Sequence, residues 1–179
     1  MSGAKRALSQ SRITRRRSVT SRVPSVYTVV VLNRQRSKKI DVGRVRQITE
    51  TLFGELEIQS AELGIHLVGA HKMAQVNWQF LRHEGSTDVI TFDYSELRAA
   101  GDGGVRRVQG ELFISVDDAV QQAAEFKTTW RSEVVRYVVH GVLHLLGYDD
   151  LQPEPRRQMK RAENRLVRQL ERVFPVARL

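Results

Sequence analysis

The sequence contains no cysteine. That excludes disulfides, thiolate metal sites and a cysteine nucleophile, and it fits a reducing compartment, with the cytoplasm as the expected location. No apolar run reaches the roughly 18 residues that a membrane-spanning helix needs. The longest, Val134 to Leu146, is interrupted by Arg136, His140 and His144. Residues 1–25 contain no acid and few large apolar residues. They also lack the apolar stretch of a secretory signal. Proline is scarce, with 4 in 179 residues, and Pro153 and Pro155 are expected to separate the histidine-bearing segment from a last helix.

What the chain does have is positive charge, unevenly placed. The net charge is +9. Residues 1–25 carry Lys5, Arg6, Arg12, Arg15, Arg16, Arg17 and Arg22. Residues 154–179 set eight cations against Glu154, Glu163 and Glu171, which leaves the centre mildly acidic. Basic blocks at both ends suit a polyanion such as RNA, although a solvated tail and a solvated helix face have the same composition. The candidate RNA contacts are Arg15, Arg16, Arg17, Arg156, Arg157 and Lys160. The tail is expected to be disordered. An organelle transit peptide, or a start codon placed too early, would have the same appearance. A 179-residue chain that is 41% hydrophobic is sufficient for one domain, expected over residues 26–179.

Periodicity predicts strands over 27–33, 63–68, 88–94 and 109–115. It predicts helices from Asp41 to about Gly54, over 70–81, from Ser115 or Asp117 to about Lys127, from Thr129 or Ser132 through His144, and over about 156–173. Three glycines mark 95–108 as a flexible loop. The fold class is therefore α+β: one domain with a small mixed four-stranded sheet and about five helices, the histidines lying on a long central one.

The chemistry concentrates in His140-Gly-Val-Leu-His144-Leu-Leu-Gly147-Tyr-Asp-Asp150. Histidines at i and i+4 share one helix face. Gly147 permits a left-handed exit, and the turn can return Asp150, with Asp149 as the alternative, to the same point. Two imidazoles on an apolar helix are costly unless something pairs them. Two imidazoles and a carboxylate with one position open make a catalytic site, with one Zn2+ the expected ion. The spacing resembles metzincin-type peptidases. Those place a glutamate base directly after the first histidine, where this chain has Gly141.

Three segments resemble the YbeY family of bacterial metal-dependent endoribonucleases. They are Asn77-Trp-Gln-Phe-Leu through Ser86-Thr-Asp-Val-Ile-Thr-Phe92, then Gly110-Glu-Leu-Phe-Ile-Ser115, and the block over residues 140–149. The resemblance implies a zinc ion on the long helix and hydrolysis of RNA phosphodiesters. It further implies maturation of the 3′ end of small-subunit ribosomal RNA and ribosome quality control alongside ribosomal proteins. His140 and His144 carry over as ligands, with His140 at the catalytic centre. Two positions depart from the pattern. Asp150 stands where the family usually has a third histidine, which should make the metal a weaker Lewis acid. Leu81 stands where many members have an arginine. Arg82 is its candidate catalytic replacement, although on a helix it would point about 100° away. Thr87 and Asp88 are candidate cleft residues, Asp149 is a weak candidate for the base, and Tyr148 is expected to pack. A zinc peptidase and a non-catalytic ribosome assembly factor are the competing functions.

Overall fold

The computed structural model describes residues 25–95, 106–175 and Leu179. The expected tail over 1–25, with Arg15, Arg16 and Arg17, lies outside the described residues except for Ser25, as does most of the glycine-rich loop. The described elements run β1 (Val26–Asn33), α1 (Val42–Glu55), β2 (Ser60–Val68), α2 (Ala70–Leu81), β3 (Val89–Asp93), β4 (Arg107–Ser115), α3 (Val116–Phe126), α4 (Trp130–Leu145) and α5 (Pro153–Val173).

Side chains settle the competing helix starts. Asp41 caps α1, accepting from the Arg44 amide, and Thr129 rather than Ser132 caps α4. Ser115 caps α3, which leaves Asp117 free to accept from the Ala70 amide at 2.7 Å. α5 differs from expectation. It begins at Pro153, so the two prolines belong to its first turn instead of separating it from the site. Early helix positions have no intrahelical use for an N–H, and the ring presets φ, so proline starts this helix.

The sheet order is β1-β2-β4-β3. β1, β2 and β4 run parallel, and β3 pairs antiparallel with β4. Alternation along the strands sends Ile65, Leu67, Leu112 and Ile114 into the main core, which α1, α4 and α5 share. The opposite face, through Ile90, Phe92 and Phe113, packs on Met73 and Val76 of α2. α4 lies directly against β4. A Cβ at Gly141 would come within 2.5 Å of Leu112 Cδ2, and one at Gly110 within 2.3 Å of the Phe92 carbonyl oxygen and 2.8 Å of Leu145 Cδ2. These two glycines set the approach of α4 to the sheet, and with it the position of the histidines. No described helix is long and apolar enough to cross a membrane.

Candidate metal centre

α4 is buried over most of its circumference, from Val134 and Val135 to Leu143 and Leu145. His140 and His144 occupy its partly open edge, with side chains 23% and 29% exposed. The helix ends in a Schellman motif. Gly147, at φ 85°, donates to the His144 carbonyl at 2.8 Å, and the Tyr148 amide donates to the Leu143 carbonyl at 3.0 Å. Asp149 continues the turn by accepting from the Leu151 amide at 3.0 Å. Asp150 then points back at the helix. Its Oδ2 lies 3.7 Å from His140 Nε2, and its Oδ1 lies 3.9 Å from His144 Nε2. The two Nε2 atoms are 3.0 Å apart. Among the described residues, His140, His144 and Asp150 form the group whose ligand atoms gather closely enough to hold a metal ion.

The partners of the other ring nitrogens decide what this cluster needs. His140 Nδ1 lies 3.0 Å from Glu163 Oε2, and His144 Nδ1 lies 3.0 Å from the Tyr148 carbonyl oxygen. A carbonyl can only accept, and so can an ionised carboxylate, so both Nδ1 atoms carry the proton and both Nε2 atoms present lone pairs. Two lone pairs 3.0 Å apart, with a carboxylate beside them, offer three donor atoms to a cation. Tetrahedral zinc with bonds of about 2.0–2.2 Å holds its donors roughly 3.3–3.6 Å apart. The observed separations of 3.0, 3.7 and 3.9 Å bracket that range, so the donor set fits the ion.

Glu163 escaped the sequence reading. It is buried on the apolar stripe of α5 beside Met159, Leu166, Val167 and Leu170. Burial pushes its carboxyl up, but hydrogen bonds from His140, Lys160 and Arg136 outweigh burial and hold it down to about 2. The Arg136 and Lys160 bonds are 2.6 and 2.8 Å long. The available signal was an acid at a core-facing position of an otherwise apolar stripe, four residues after Met159.

Beside the cluster lies a cavity of about 500 Å³, lined in part by His140, Asp150, Glu163, Asp88, Arg156 and Lys160. Arg156 is anchored by its Nε to the Asp150 carbonyl oxygen at 2.7 Å. Arg157 does not line this cavity; it pairs with Glu154 at 3.0 Å on the surface. Nor does the structure bring Arg82 to the cavity. α2 ends at Leu81, Arg82 takes a left-handed conformation at φ 58°, and its guanidinium lies 5.9 Å over the ring of Trp78. Asp88 reaches the cavity while binding the Val89 amide, and Thr87 donates to Asp88. Asn77 holds the α2–β3 loop through the Gly85 carbonyl at 3.0 Å.

The family model described as Endoribonuclease YbeY matches residues 30–171. The chain belongs to the YbeY family. Endoribonuclease YbeY of Chlorobium phaeovibrioides is 32% identical over 139 residues, which is 78% of this chain and 88% of the relative. That of Phocaeicola vulgatus is 43% identical over 130 residues, or 73% and 86%. The solution structure of TM1509 from Thermotoga maritima shares the fold with a TM-score of 0.57 and 23% identity, covering 80% of this chain and 89% of that one.

Proposed function

We propose that this chain is a zinc-dependent endoribonuclease. Its substrate is single-stranded RNA in ribosomal RNA processing, at the 3′ end of the small-subunit RNA, and it works with ribosomal proteins in the cytoplasm. Its named relatives support the activity. The observation that carries the reading is the meeting of two imidazole lone pairs and a carboxylate at the edge of a cavity that also holds cationic side chains.

His140, His144 and Asp150 would hold the ion, which when bound supplies Lewis acidity toward water and toward a phosphate oxygen. Glu163 fixes the His140 ring and its tautomer. Arg156 is held through Nε, which leaves its Nη groups to bind a phosphate and to oppose the charge that builds at phosphorus. Lys160 is shared with Glu163 and adds positive potential at the rim. A peptidase is disfavoured on steric grounds, because the residue that would be its glutamate base is Gly141, pressed against Leu112.

Metal content and RNA cleavage measured on the same preparations test this reading. Wild type should carry one zinc ion per chain and cleave single-stranded RNA. His144→Ala should lose both. Asp150→Ala should lose most of its metal, and full retention would remove Asp150 from the ligand set. Metal-loaded wild type that leaves RNA intact would overturn the nuclease reading in favour of a non-catalytic assembly factor.

A further inference from the structure

A second cationic surface runs along α5. Arg161, Arg165, Arg168 and Arg172 are all exposed and line one groove on that helix with Asn164 and Gln169. Helical geometry sets these arginines about 140–180° around the axis from Glu163, so they face away from the metal centre. They span about 16 Å along the helix. Arg161 sits 3.7 Å from Glu154, and Arg165 donates to Gln169 at 3.1 Å. Arg168 and Arg172 have no acidic partner within 4.0 Å among the described residues.

An isolated row of like charges repels itself, which makes this face unfavourable without an anionic partner. Its composition narrows the partner. The row is wholly arginine, whose planar fork matches phosphate oxygens in a bidentate way. The amides among them are held within the protein, Asn164 accepting from Arg136 and Gln169 bonded to Arg165 and Glu55, so the arginines are the groups that would meet phosphate. We propose that the outer face of α5 is an RNA docking surface, separate from the cleavage cavity. It would grip the backbone of the larger ribosomal RNA while the substrate strand enters the cavity on the opposite side of the helix. The proposal rests on the RNA-processing reading above and extends it to a second site.

The test compares wild type with the variant R165Q/R168Q/R172Q, each replacement being a good helix former at an exposed position. Binding to a long, structured ribosomal RNA fragment is measured against salt, and cleavage is measured on a short oligonucleotide. Each lost phosphate contact lowers the logarithmic salt slope by roughly 0.7–0.9, so the variant's slope should fall by about two to three. Its cleavage of the short strand should stay at the wild-type rate. Equal slopes for the two proteins would overturn the proposal. So would an unchanged RNA slope with lost binding to poly-glutamate, which would assign the face to an acidic protein. If wild type cleaves nothing yet the slope difference persists, the nuclease reading falls and the docking surface stands.

Discussion

Glu163 lies among the apolar contacts of α5, yet it stays ionised because three donors reach its two oxygens. One of those donors is His140, so a buried charge on one helix sets the tautomer of a candidate ligand on another. Support of this kind is typically worth 10–100-fold in metal affinity, and Glu163→Gln should lose about that much zinc affinity by calorimetry. Unchanged affinity would show that Glu163 only packs. The same carboxyl gives a pH signature in the metal-free protein. Its folded value, about 2, lies below the ordinary 4.5. The group therefore contributes stability that is complete above the unfolded value and fades as pH falls from about 4.5 to about 2. Chemical denaturation across that window should show a steeper loss in wild type than in Glu163→Gln, and parallel curves would contradict the shift. Glu163 was not legible because its partner is 23 residues away, across a turn and into another helix. The convergence of His140, His144 and Asp150 was legible because i,i+4 spacing and one helix-ending glycine are local geometry, which a sequence carries directly.

At the scale of elements, the packing of β4 against β3 and α4 depends on residues that have no side chain. The Phe92 carbonyl that a Cβ at Gly110 would meet at 2.3 Å is backbone and cannot swing aside. Gly110→Ala should therefore destabilise by about 1–3 kcal/mol in urea unfolding, in the range of other overpacked core substitutions. Gly54 provides the control. It lies inside α1, and nothing stands within 4 Å of a Cβ there. Gly54→Ala should stabilise by about 0.5–1 kcal/mol, because alanine loses less backbone entropy in a helix. Comparable destabilisation at both positions would mean that the close approach of β3 and α4 is not what Gly110 secures. Element identities were legible from periodicity and caps, and the span of α2 was read without error. The start of α5 was misread because proline stops a helix from within but begins one at its first turn.

Across the whole molecule, the site joins parts that are remote in sequence. α4 brings the imidazoles, the turn after it brings Asp150, and α5 returns along α4 to bring Glu163. The order β1-β2-β4-β3 was not legible, since strand neighbours depend on non-local pairing that no single segment encodes. Because the donors converge only when these elements are docked, zinc should bind the folded chain and not the unfolded one. An ion with that preference stabilises by mass action, by about 2.7 kcal/mol at 100 times its dissociation constant. Unfolding free energies from urea titrations with zinc at that level and with chelator should therefore differ by this amount in wild type. In His144→Ala the difference should shrink towards zero, since only two donors, His140 and Asp150, remain. An equal increment in both proteins would place the stabilising ion away from α4, on other histidines of the chain, and would separate metal binding from the centre described here.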